Sequence, residues 1–150
     1  MTVKDKIGEI IRHIKRVEDN CNIVSMKMAD IDPHFALEIT RRGRSHDASK
    51  LSLIEFHHLW KEEKNFDVAL VHHHTHNSHH PEHYPNGIYG MSDADLCEMV
   101  CDCTARAQEF GTDVRIWFFD KAPKKYGYEN DQEIYQKLEY YLNILLNKPF

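Results

Sequence analysis

His72-His73-His74-Thr75-His76-Asn77-Ser78-His79-His80-Pro81-Glu82-His83 holds seven of the chain's 12 histidines, and His46-Asp47-Ala48-Ser49-Lys50 lies a short way upstream. An adjacent His-Asp pair offers an imidazole nitrogen and a carboxylate oxygen at one point of the chain. Those are donors that divalent Mn, Fe, Ni and Zn accept readily. Neutral imidazole is the commonest protein ligand for such ions. Buried without an ion, so many ring nitrogens would each need another partner. The run sits in mid-chain and is interrupted by Thr, Asn, Ser, Pro and Glu, unlike a purification tag. The alternative is a solvated loop that scavenges ions loosely; a specific metal centre is the expectation. Donors this far apart in sequence must be gathered by the fold, and a helical bundle can collect them from several helices into one interior site.

The flanking sequence reads as such a bundle. From Thr2 to Ala29, Ile7, Ile10, Ile11, Ile14, Val17, Cys21, Val24 and Met28 recur every three or four residues, the period of an amphipathic helix. His13 lies beside that stripe. Asp30-Ile31-Asp32-Pro33 breaks the helix, and Pro33 suits the first turn of a second one carrying Phe35, Leu37 and Ile39, with Gly43 as its end. Arg41, Arg42 and Arg44 then crowd a helix C-terminus, where cations are favoured. Ser52 and Glu55 have the spacing of a capping box for a helix through Trp60. Another helix opens after Asn65 or Asp67. On it His72 and His76 share a face, as do His73 and Asn77, so His72, His73 and His74 cannot all reach one ion.

Pro81, Pro85, Gly87 and Gly90 mark the segment from His79 to Gly90 as a loop, a usual place for ligands that also select substrate. Ser92 and Asp95 signal a helix that Gly111 ends, with Asp102 at the edge of its apolar stripe. A helix with Val114, Ile116, Trp117 and Phe118 follows, then a basic turn at Lys121-Ala122-Pro123-Lys124-Lys125. A closing helix covers about residues 131–147. No alternating strand pattern of useful length occurs. The expected fold is all-α, a compact single-domain helical bundle with a His-rich loop over the metal site.

Composition narrows the function classes. With 19 Lys and Arg against 24 Asp and Glu, the net charge of −5 argues against a general nucleic-acid-coating protein. The longest apolar runs, such as Ile116 to Phe119, are far too short to span a membrane. The N-terminus lacks the apolar core of a secretion signal, so a cytoplasmic protein is expected. Cys21, Cys97, Cys101 and Cys103 lack the spacing of common zinc sites and read as reduced, partly buried thiols.

His46-Asp47 followed by Lys50 resembles the signature of the HD-domain metal-dependent phosphohydrolases, in branches that read His-Asp-x-x-Lys. His73-His74-x-x-Asn77-x-His79-His80-Pro81-Glu82 and Glu98-Met99-x-x-Asp102 are similar to a short phage and bacterial branch of that group. The resemblance covers roughly residues 10 to 105. It implies an HD-domain-like bundle in which His13, His46, Asp47 and Asp102 hold one divalent transition metal. His13 enters as the helical histidine ahead of the pair, with His34 as its rival; Asp95 and Glu98 are rivals of Asp102. One of His73 or His74, with His79 or His80, would complete a second metal position or contact substrate.

The implied reaction is hydrolysis of a small-molecule phosphate ester, most plainly a nucleotide, by a metal-activated water, with one ion or two. Lys50 would bind a non-bridging oxygen, and His79 or His80 would protonate the leaving group. Two other readings stay open: a di-iron oxygenase of the same fold, and a metal-containing module that binds a nucleotide without turning it over. The glycine-tyrosine-proline element of the cyclic-dinucleotide branch is absent, and Tyr84-Pro85-Asn86-Gly87 is only a partial echo, so that substrate is not implied.

Overall fold

A computed structural model describes residues 1–60 and 65–146, with the backbone alone at Leu59 and Trp60. Among the described residues the chain is all-helical. The first helix, α1 (Val3–Met28), opens on a full capping box: Thr2 and Asp5 each accept from the other's backbone N–H. Asp32 caps α2 (Pro33–Ser45) through the amide of Phe35, with Pro33 in the first turn. Ser25 donates to the carbonyl of Ala36, and Cys21 lies against Gly43, so α2 runs back along α1.

Gly43 does not end α2, as its composition suggests, because the helix continues to Ser45. Its role is close approach: a Cβ built there would lie 2.7 Å from the Cβ of Cys21. Gly43→Ala should therefore push the two helices apart and cost about 1–3 kcal/mol, as overpacking does. A urea titration checks this; an unchanged midpoint would mean that the helix pair has slack.

A 3-10 turn (Ala48–Leu51) leads to α3 (Leu53–Trp60), which pairs with α4 (Phe66–His76). Further 3-10 turns at Pro81–His83 and Gly87–Gly90 structure the segment read as a loop. Then comes α5 (Asp93–Phe110), with the Ser92/Asp95 capping box at its start and Gly111 left-handed at φ 64° at its end. The short α6 (Val114–Ile116) passes through a π-helical turn (Trp117–Lys121) into α7 (Ala122–Tyr126). The basic stretch read as a turn is thus largely helical. The last helix is α8 (Gln132–Leu146); Asn147, its expected end, lies outside the described residues.

α1 packs on α2, α5 and α8, and α5 also meets α2 and α8, which makes α5 the central helix. The core between them includes Val17, Cys21, Val24, Ile39, Val100, Leu138 and Leu142, all fully buried. Toward the start of α1 the buried face departs from the apolar stripe: Ile7 and Ile11 are exposed while His13 is buried. That turn of α1 faces a polar interior. No described helix is long and apolar enough to cross a membrane.

Candidate metal centre

The centre is built around Asp47. α2 stops at His46, and Asp47 turns the chain with φ 51° and ψ 22°, the one described non-glycine residue with positive φ. Aspartate is among the few residues that tolerate this left-handed conformation, which still carries strain of order 1 kcal/mol and is found disproportionately at functional sites. The turn buries the carboxylate almost completely and presents its two oxygens to different neighbours.

On one side, Asp47 Oδ2 lies 3.4 Å from His46 Nε2 and 4.0 Å from His13 Nε2. Asp102 Oδ1 completes that lobe, 3.0 Å from His13 Nε2 and 3.8 Å from His46 Nε2. On the other side, Asp47 Oδ1 lies 3.4 Å from both His73 Nε2 and His79 Nε2, and His80 Nε2 is 2.9 Å from His73 Nε2. Asp102 Oδ2 reaches this second lobe too, 3.5 Å from His79 Nε2. α1, the end of α2, α4, the loop and α5 each contribute.

The rings are set from behind. The Nδ1 of His13 meets Glu109 Oε1 at 2.8 Å, and that of His73 meets Glu55 Oε1 at 2.7 Å. Glu98 Oε1 serves two rings, at 2.9 Å from His46 Nδ1 and 3.1 Å from His79 Nδ1. A carboxylate accepting the Nδ1 proton fixes the tautomer and turns the Nε2 lone pair inward, the arrangement that orients histidine ligands around metals. Arg42 backs Glu98 in turn, donating to its Oε2 at 3.0 Å and to Asp95 Oδ1 at 2.8 Å. Arg42 therefore braces the centre rather than simply capping α2 in solvent.

The inward atoms fit an ion better than they fit one another. His13 Nε2, His46 Nε2, His79 Nε2 and Asp47 Oδ1 are buried with no hydrogen-bond partner, although carboxylates or imidazoles stand within about 4 Å. Burying polar atoms unpaired is costly. Two donors on one transition-metal ion, each at ~2.1 Å, lie roughly 3–3.5 Å apart, close to the spacings here. Asp47, His73, His79 and His80 form one group able to hold an ion, and His13, His46 and Asp102 another.

Without an ion the charges compensate internally. Burial pulls the His46 imidazolium down, but Asp47, Glu98 and Asp102 outweigh it and hold it up at about 9. His79 is likewise held well above its ordinary range against burial, by Asp102, Asp47 and Glu98. Burial would raise the carboxyls of Asp47 and Asp102, yet the facing histidines keep both well below the usual range.

Each residue expected from the sequence can be located. His13, His46, Asp47, His73 and Asp102 converge as ligand positions, and His34 stays exposed on α2. His74 is not in the second lobe; it groups with His80 and Glu82 on the outer side. His79 and His80, expected to complete a second metal position or to meet substrate as leaving-group acids, stand with Asp47 and His73 in a group able to hold an ion. His79 is buried with both nitrogens facing carboxylates, and burial together with His79 drives the His80 imidazolium down to about 3, leaving a neutral donor. Lys50 places Nζ 2.6 Å from Asp47 Oδ2. Asp95 ties Arg42, Ser78 and Tyr84 together, away from the lobes. Ser52 caps the amide of Glu55, but the Glu55 carboxylate turns inward to His72 and His73 rather than closing the box. The four cysteines are free thiols.

Glu55 and Glu109 were not legible as parts of the centre. The signal for Glu109 was nonetheless present: Glu98, Asp102 and Glu109 follow at steps of four and seven, which keeps all three on one face of α5.

A cleft of about 350 Å³ opens beside the centre. Asp47, Asp102 and His80 form its floor, Lys50 and Arg106 bring positive charge, and Phe110 and Trp117 bring flat apolar walls. Such a mix of apolar wall and a few convergent polar groups is what small-molecule sites look like. The fold and centre together define an all-α protein with a buried His/carboxylate cluster able to hold metal. The chain belongs to a family of unknown function, DUF5662, which it matches over residues 2–144. No curated protein and no solved structure matches it.

Proposed function

We propose that the protein is a metal-dependent phosphohydrolase acting on a nucleotide or a related phosphate ester. The observation that carries this reading is Asp47, one buried carboxylate with a histidine lobe on each oxygen, at the floor of a cleft with a cationic rim. In this reading His13, His46 and Asp102 would hold one divalent ion and His73, His79 and His80 a second, with Asp47 available to either through its two oxygens. A nitrogen-rich set of this kind suits Mn, Fe, Ni or Zn better than Mg. Such ions supply Lewis-acid polarisation and a water acidic enough to serve as nucleophile near neutral pH. The likeness of His46-Asp47-x-x-Lys50 to the HD-domain hydrolases points the same way.

The side chains do the rest. Lys50 stands over Asp47 at the cleft mouth, where its ammonium can donate to a non-bridging phosphate oxygen as charge builds there. Arg106, held by Glu109 Oε2 at 3.0 Å, adds positive charge on the same rim. Phe110 and Trp117 offer surfaces against which a base can lie.

The test is phosphate release from a panel of nucleoside mono-, di- and triphosphates and cyclic forms, with Mn, Fe, Ni and Zn supplied in turn. Lys50→Ala should keep its metal and lose roughly 2–4 kcal/mol of transition-state stabilisation, read as a fall in kcat. A rise in KM alone would make Lys50 a ground-state contact. Silence across the whole panel, with a nucleotide bound intact, would favour the non-catalytic module; oxygen consumption by the iron form would favour the oxygenase.

A further inference from the structure

Of the five rings that face the two lobes, four are pinned from behind by a carboxylate: His13 by Glu109, His46 and His79 by Glu98, and His73 by Glu55. Among the described residues His80 has no carboxylate within ion-pair distance of either ring nitrogen; its close polar contact is His73 Nε2 at 2.9 Å. A ligand without a supporting partner is the least oriented of its set.

His80 also belongs to a second constellation. Ligand atoms of His74, His80 and Glu82 all lie within 4.8 Å of one another. The three form a ladder outward: His80 and His74 are half-buried, and Glu82 is exposed. The local fold holds them together. His80 precedes the 3-10 turn Pro81–His83, Pro81 is buried, and His83 donates through Nδ1 to the carbonyl of His74 at 2.7 Å, strapping the turn to the end of α4. The ring centroids of His74 and His80 are 5.1 Å apart. Among the described residues the hydrogen-bond and ion-pair contacts of Glu82 Oε1 are the Tyr126 hydroxyl at 3.4 Å and Lys125 Nζ at 3.8 Å, both long. Two imidazoles and a carboxylate make a donor set that Zn and its neighbours accept.

Among the described residues His80 is the ring common to the inner group and the outer one. We propose that His74, His80 and Glu82 form an outer divalent-cation site through which the Asp47/His73/His79 lobe exchanges its ion, with the unpinned His80 as the ligand that changes hands. The inference rests on the buried centre holding metal and is independent of the reaction catalysed there.

The experiment follows zinc exchange. Protein saturated with natural-abundance zinc is challenged with isotopically enriched zinc, and the bound isotopes are read by mass spectrometry over time. Wild-type protein should exchange in two phases, fast for the His80 lobe and slow for the His13/His46/Asp102 lobe. Glu82→Gln and His74→Gln should each slow the fast phase by at least about tenfold, the scale on which losing one supporting group weakens a metal site. Total bound zinc should stay at the wild-type value, because a route in is equally a route out. Circular dichroism verifies the fold, and His74→Gln leaves the Tyr126 and Lys125 contacts of Glu82 in place. Wild-type exchange rates in both variants would overturn the proposal. So would loss of a resting zinc in either, since these residues would then be permanent ligands. A wild-type protein that binds no zinc would overturn the buried centre and this outer site together.

Discussion

Asp47→Asn is expected to strip the protein of bound metal and to lower phosphate-ester turnover by about a thousandfold, the scale of removing a principal source of charge stabilisation. Asparagine adopts left-handed backbone almost as readily as aspartate, so the turn at φ 51° survives and the change isolates the carboxylate. It removes a negative charge that faces both lobes, and it leaves Lys50 Nζ, now 2.6 Å from Oδ2, without its charged partner. Breaking a buried ion pair from one side costs about 3–5 kcal/mol, so the metal-free variant should also melt earlier than the metal-free wild type. Elemental analysis, turnover and a melting curve on one preparation test all three. A variant that keeps its full metal content would remove Asp47 from the ligand set.

Metal removal should have an effect of similar size, and it should depend on pH with a definite sign. In metal-free protein His46 is held at about 9, above its ordinary 6.5. A group raised on folding contributes stability that is complete below its unfolded value and is lost as pH rises through its folded value. The part due to His46 therefore fades between about pH 6.5 and 9, and His79 acts in the same direction. The carboxylates behave oppositely. Glu98, which burial would raise but His46 and His79 lower to about 2, contributes above its ordinary 4.5 and loses that contribution as pH falls toward 2.

A bound ion replaces those protons as the counter-charge, so loading should release protons, and affinity should grow up to about pH 9. Ion in hundredfold excess over its Kd adds about 2.7 kcal/mol at any one pH. The gap in Tm between metal-loaded and chelator-treated protein should widen by roughly 5–10 °C from pH 6.5 to 9. A gap that does not widen would mean that the histidines are neutral before metal arrives.

Period and punctuation made most of the fold legible. The start of the first helix at Thr2, the capping signal at Ser92, the break before Pro33 and the stop at Gly111 all fall where the residues place them. Gly43 misleads because glycine ends helices and also lets them approach, and only the partner helix decides which applies. The end of α1 nearest the centre misleads for a related reason: hydrophobicity alone would bury Ile7 and Ile11, whereas the interior there is polar and takes His13.

At the centre, His46 and Asp47 are evident as a dipeptide, while His13 and Asp102 rested on resemblance. Which downstream histidines meet Asp47 could not be read, because their directions depend on where α4 ends and how the Pro81 turn bends. The carboxylates behind the rings were hidden for a simpler reason. Glu55 is an ordinary capping residue by spacing, Glu98 is visible only as a rival of Asp102 and not as a support, and Glu109 is an ordinary helical acid until a histidine from another helix meets it.

The inward-facing groups come from five separate segments, and the first, His13, is divided from the last, Asp102, by most of the described chain. A ribosome must therefore release α5 before the His13/His46 lobe has its full complement, since Asp102 belongs to that lobe and only borders the other. Until then the nascent chain lacks a donor of that lobe. An ion held by that lobe would come from the metal pool that the finished fold encounters, so the same polypeptide made in manganese-rich and zinc-rich cells should emerge with different metals there.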